Sequence, residues 1–214
     1  MEESTKEKIA EILLRLKAVT LKPNDPFKYA SGRLGPIYCD NRIILSYPDD
    51  RDALIESFVE LIKSKNLEFD VVGGTATAGI PHAALIADKL KKPMIYARGQ
   101  AKDHGKQAKV DGRLKKGQKV LVVEDLINTG GSSLAVIEAI REAGGIVEDC
   151  VAIFTYNLKE AEDAFANANC NLITLTDFRT LVDFAVQEKY ISDEEKNILF
   201  EWKLNPEKWS EAHK

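Results

Sequence analysis

The chain has 214 residues, 44% of them apolar, which is enough for a real core and too much for a disordered tail or a disulfide-stapled miniprotein. Thirty basic against 34 acidic side chains leave a net charge of −4, so no general attraction to nucleic acid is advertised and any bound anion needs a local site. Cys39, Cys150 and Cys170 lack the close pairing of a zinc site and read as reduced structural thiols. The charged N-terminus and the absence of an apolar run near the ~20 residues of a membrane span lead us to expect a cytoplasmic protein with no nucleic-acid or membrane partner.

Ile9, Ile12, Leu13, Leu16 and Val19 recur at helical spacing opposite Lys6, Glu7, Glu11, Arg15 and Lys17, predicting an amphipathic helix that ends near Pro23. In FKYASGRLGPIYCDNR, residues 27–42, Gly32, Gly35 and Pro36 break that periodicity and predict a short strand, a turn and a second strand. Residues 49–63 return to a helix with Leu54, Ile55, Phe58, Val59, Leu61 and Ile62 on its apolar face. The runs FDVVGG, PMIYAR, QKVLVVED, DCVAIFTY and NLITLTDF are apolar on consecutive positions, as strands buried on both faces of a parallel sheet should be.

Helical segments at 79–90, 131–143 and 158–168 alternate with those runs. The order predicts an α/β fold with an open, doubly wound, mainly parallel sheet. Residues 99–118 carry glycines and charges without an apolar stripe and read as a functional loop or lid. Residues 179–209 predict two further helices packed back onto the N-terminal elements. The expected organisation is one domain: an N-terminal helix and small hood (1–66), an α/β core (67–178) and C-terminal helices (179–214).

The segment KVLVVEDLINTGGSS, residues 119–133, runs a strand into Glu124 and Asp125, then into Thr129, Gly130, Gly131, Ser132 and Ser133, where a helix begins. Glycines, hydroxyls and a helix N-terminus suit a phosphate, and sites in open α/β sheets lie beyond the carboxyl ends of the strands. The Walker lysine is absent, so a triphosphate held in the P-loop manner is not expected. Two acids beside a phosphate nest fit a ribose 5-phosphate, whose 2′ and 3′ hydroxyls they would accept and whose cationic transition state they would favour. In the lid, Arg98, Lys102, His104, Lys106 and Lys109 suit a pyrophosphate leaving group. His82 is read as structural.

The strand, paired acids and T-G-G-S order resemble the phosphoribosyl-pyrophosphate (PRPP) signature of type I phosphoribosyltransferases. Arg98, Lys102, His104 and Gly105 resemble the R-x-x-x-K-x-H-G catalytic loop of orotate phosphoribosyltransferases, and ASGRLGPIYCDNR resembles their hood over the base. The resemblance implies the type I fold, PRPP and orotate as substrates, Mg²⁺ arriving with PRPP rather than on a dedicated protein metal site, and a homodimer whose lid serves the neighbouring subunit. It implies a catalytic role for Arg98, Lys102 and His104, which would also contact PRPP. PRPP would further meet Glu124, Asp125, Leu126, Ile127, Asn128, Thr129, Gly130, Gly131 and Ser132. Orotate would meet Asn128, Ser31, Gly32, Tyr38 and Cys39.

Gly73 and Gly74 resemble the family's pyrophosphate loop. Ala30 and Gly99 stand where lysines are common, Ala76 and Thr77 replace a tyrosine–lysine pair, and Asn128 replaces a hydroxyl residue. The alternatives are a purine phosphoribosyltransferase, against which the hood argues, and a non-catalytic PRPP sensor, against which the lid and the acidic balance argue.

Overall fold

The computed structural model describes residues 3–99 and 109–213. Helix α1 (Glu3–Arg15) is shorter than its apolar spacing predicts, because Lys17 takes a left-handed conformation (φ 56°) and Val19 opens a strand, β1 (Val19–Leu21). The hairpin expected over 27–42 is divided between two ribbons. β2 (Phe27–Lys28) pairs antiparallel with β3 (Leu34–Gly35), while β4 (Ile37–Cys39) turns away to pair with β1. Pro36 separates β3 from β4, and with no N–H to donate it cannot continue a ladder. A 3-10 turn at Asn41–Ser46 leads into α2 (Pro48–Ser64), which has proline in its first turn followed by Asp49 and Asp50, both favourable at a helix N-terminus.

The central sheet is built from β5 (Val71–Thr75), β6 (Met94–Ala97), β7 (Val110–Asp111), β8 (Val120–Ile127), β9 (Asp149–Thr155) and β10 (Asn171–Asp177). Helices α3 (Gly79–Leu90), α4 (Gly131–Glu142) and α5 (Lys159–Asn167) alternate with the strands as the pattern predicts. The spatial order is β10-β9-β8-β5-β6-β7, with every pairing parallel except that of edge strand β7, which runs antiparallel to β6. The doubly wound, mainly parallel sheet is therefore present. β7 is an element the pattern did not announce, since two half-buried residues are too few to show a period.

Alternate residues of the central strands enter opposite cores. Leu121 and Val123 of β8 join the core that contains Leu13, Phe58, Ile86 and Leu181, whereas Val120 and Val122 join the one formed with Val136, Ile140 and Phe165. Both faces of the sheet are covered, which is why the strands read as continuous apolar runs.

The C-terminal stretch forms three helices rather than two: α6 (Phe178–Gln187), α7 (Asp193–Leu204) and α8 (Pro206–Ala212). Asn205 breaks the last pair, and its side chain accepts from the Lys208 N–H to cap α8. As expected, these helices return to the N-terminal elements. α1 packs on α6 with Lys6 paired to Asp177 at 2.8 Å, and α8 holds the hood through Ser210, which accepts from the Leu34 N–H at 2.8 Å. No helix among the described residues is long and apolar enough to cross a membrane.

Candidate active site

From β5 the chain moves outward through β6 and β7 and then returns to β8 on the other side of β5. The carboxyl ends of β5 and β8 therefore flank the point where the winding reverses, the place where open α/β sheets leave a crevice. A cavity of about 810 Å³ lies there. Residues 75–78 and Gly99 form one wall, and Glu124, Asp125, Leu126 and residues 128–133 the other. The Ala76–Thr77 peptide in the first wall is cis.

The phosphate-suited half is the turn into α4. Gly130 has φ 83°, and a Cβ there would stand 3.0 Å from the Phe165 ring, so conformation and space both call for glycine. The exposed Gly131 and Ser132 follow at the start of α4, where backbone N–H groups have no partner within the helix.

The two acids differ. Glu124 is buried, its Oε1 accepting from Thr75 Oγ1 at 2.6 Å and from the Asp125 N–H at 3.0 Å, its Oε2 from Ser133 Oγ at 2.9 Å. Both of its oxygens are engaged by the protein itself. Asp125 is only partly buried in the cavity wall, and burial together with the adjoining Glu124 pushes its pKa well above the usual carboxylate range. Its main-chain carbonyl accepts from Asn41 Nδ2 at 2.7 Å, which ties the hood to this loop.

A phosphoribosyl transferase domain matches residues 44–189. The orotate phosphoribosyltransferase of Coxiella burnetii is 54% identical over 201 residues, covering 94% of this chain and 96% of its own length. The chain belongs to the orotate phosphoribosyltransferase family. The Listeria monocytogenes member is 50% identical over 206 residues, 96% of this chain and 99% of that one. The crystal structure of the Aeropyrum pernix family member superposes with a TM-score of 0.69 at 27% identity, covering 82% of this chain and 97% of the other.

Of the residues the family pattern singles out for PRPP, Glu124, Asp125, Leu126, Asn128, Thr129, Gly130, Gly131 and Ser132 come together in the cavity. Ile127 does not. Its side chain is wholly buried with Val120 and Val122 in the core against α4, out of step with the alternation earlier in β8, so only its main chain is available at the cavity. Arg98 is also outside the cavity wall: it reaches from the end of β6 to Asp111 at 3.0 Å and lies over the Tyr96 ring. Lys102 and His104 lie outside the described residues, as does Lys106, and Lys109 is paired with Glu142 at 2.8 Å.

For the base, Ser31 and Asn128 meet in a second cavity of about 330 Å³. Gly32, Tyr38 and Cys39 line neither cavity. Gly32 supplies the exposed turn of the hood (φ 80°), Tyr38 is exposed beside Phe27, and the half-buried Cys39 places its Sγ 3.4 Å from Asn41 Oδ1. Gly73 and Gly74 precede the cavity wall and are closely packed, since a Cβ would stand 2.7 Å from Val120 at the first and 3.0 Å from Ala83 at the second. His82 is fully buried in α3 as a structural residue, and burial lowers its pKa to about 4.

Sequence reasoning missed Thr75, Asn41 and the end of α7. A threonine at the last position of a strand neighbouring the one with paired acids could have signalled the first. The other two depend on residues distant in the chain, 84 positions apart for Asn41 and Asp125, and left no local signal.

Proposed function

We propose that this chain transfers the 5-phosphoribosyl group of PRPP to orotate, giving orotidine 5′-monophosphate and pyrophosphate in de novo pyrimidine synthesis. The observation that supports it most is the switch-point cavity, in which a glycine-rich helix start stands beside Asp125 with Glu124 locked behind it. The helix start takes the 5-phosphate, and Asp125 accepts a ribose hydroxyl. Glu124 holds the acid pair in place and adds negative potential beneath the anomeric carbon, where positive charge grows as the bond to pyrophosphate breaks. The bond from C1′ to the pyrophosphate oxygen breaks with its electron pair leaving on oxygen, the N1–C1′ bond forms, and N1 gives up its proton. No enzyme nucleophile is required, so the protein orients the partners and excludes water.

Mg²⁺ fits this donor set, since the partly buried Asp125 in the cavity wall, with Glu124 behind it, offers negative charge that a cation bound by PRPP oxygens and water would offset. The ion supplies charge neutralisation to the diphosphate. Arg98, Lys102 and His104 grip the departing pyrophosphate, with the lid shared across a homodimer in the cytoplasm.

The test is PRPP- and Mg²⁺-dependent loss of orotate absorbance. Turnover with adenine or xanthine and none with orotate would overturn the reading. Lys102→Ala should reduce turnover far more than orotate binding, and an unchanged rate would remove that residue from the mechanism.

A further inference from the structure

The second cavity is bounded by Tyr29 and Ser31 of the hood, by Asn128 and Thr129, and by Trp202 and Lys203 at the end of α7. Asn128 and Thr129 also line the phosphoribosyl cavity, so the two spaces meet at this loop. The second space, of about 330 Å³ and adjoining the phosphoribosyl cavity at Asn128 and Thr129, is large enough for a single planar ring.

Three cations stand in its wall, and two are already matched. Arg33 is paired with Glu207 at 2.6 Å and Lys159 with Asp163 at 2.5 Å. Lys203 has no carboxylate within ion-pair distance among the described residues. Its Nζ lies 5.6 Å from the centre of the Phe178 ring. It is half-buried, and burial together with Arg179 lowers its pKa, while Asp177 and Glu162 oppose this from beyond ion-pair distance. The adjoining Trp202 is buried, and its indole N–H has no partner among the described residues. An exposed lysine at a helix end would need no explanation, but a half-buried one beside a second cation, in the wall of a ring-sized cavity, is offset best by an anionic ligand.

We propose that Lys203 is a specificity-determining residue that receives the carboxylate of the pyrimidine, so that the C-terminal helices complete the base-binding half of the site. The inference rests on the orotate reading above. Lys203 makes no contact with the transferred group in this scheme, so its effect falls on selection of the base. It explains chemically how the site prefers a carboxylated pyrimidine to the same ring without the carboxylate: the bare ring leaves the ammonium unmatched.

The experiment compares wild type with Lys203→Gln, which keeps the stem and removes the charge, and with Lys203→Arg. Orotate and uracil are each assayed at saturating PRPP, and thermal melting checks that the variants are folded. The expected result is an orotate KM raised tenfold or more in K203Q, with the PRPP KM and the activity toward uracil within twofold of wild type, and substantial recovery in K203R. An orotate KM unchanged in folded K203Q overturns the proposal, as does a rise shared equally by PRPP. Should K203Q fail to fold, the same comparison is read from Lys203→Met, which also keeps the stem and removes the charge, and an unchanged orotate KM in that variant overturns the proposal. A wild-type chain that consumes no orotate at all defeats the functional reading instead, so the two failures are distinct.

Discussion

Asn41 donates its side-chain N–H to the carbonyl of Asp125 at 2.7 Å, and this one bond joins the hood to the strand end that bears both acids. Asn41 is fully buried, and its Oδ1 faces Cys39 Sγ at 3.4 Å. Asn41→Ala leaves a buried carbonyl without its donor, a loss of about 1–3 kcal/mol. For a chain of this size each kcal/mol corresponds to roughly 2–4 °C in Tm. We expect a lower Tm and a weaker orotate KM, measured by thermal melting and steady-state assay. An unchanged Tm would mean that the hood is held without this bond.

The acid pair sets stability against activity. The Asp125 carboxyl titrates near 3.8 in the unfolded chain and higher in the folded one. Below 3.8 the side chain is protonated in both states and costs nothing; as pH rises the unfolded chain ionises first, so native stability is lost through the interval up to the folded value. Asp125→Asn should therefore melt higher than wild type at neutral pH, with the difference shrinking as the pH falls toward 4, while phosphoribosyl transfer drops sharply. A variant less stable than wild type at neutral pH would contradict this account of the pair.

His82 acts in the opposite direction on the pH scale. Burial lowers its pKa from 6.5 to about 4, and neither ring nitrogen has a hydrogen-bond partner among the described residues. Its contribution is complete above 6.5 and is lost as pH falls toward the folded value, a loss on the order of 3 kcal/mol. His82→Leu removes the titrating group from a helix interior and should flatten the Tm profile between 6.5 and about 4. A variant as acid-sensitive as wild type over that interval would place the effect elsewhere.

The parts legible in the sequence were those with local chemistry. The βα order, the helix start at Gly131 and the clustering of Asp125 with Thr129 and Ser132 follow from patterns within a few residues of one another. Val19 was misplaced because an apolar residue at helical spacing looks the same after the helix has ended, and only the positive φ of Lys17 tells them apart. Ile127 lies inside the signature yet turns into the core with Val120 and Val122, because the alternation of β8 slips near its end, which no count along the sequence shows. Thr75 and Ser133 are ordinary hydroxyl residues until the β5–β8 pairing and the first turn of α4 bring them to the two oxygens of Glu124.

Arg98 offers the last prediction, because its partner in this structure is a carboxylate and its proposed partner in the reaction is a diphosphate. Its guanidinium stands 3.0 Å from Asp111 Oδ2, close enough for an ion pair but not aligned as a hydrogen bond. Both side chains are partly exposed, so the pair is worth at most about 1 kcal/mol, an effect of up to roughly fivefold on a competing equilibrium. If Arg98 leaves Asp111 to grip pyrophosphate, Asp111→Asn lowers the PRPP KM by about two- to fivefold, and Arg98→Ala raises it. The double variant should match Arg98→Ala alone, since Asp111 would then act only through the arginine. A PRPP KM that rises in Asp111→Asn, or additive effects in the double variant, would show that the pair is a fixed strut between β6 and β7 and that Arg98 takes no part in holding PRPP.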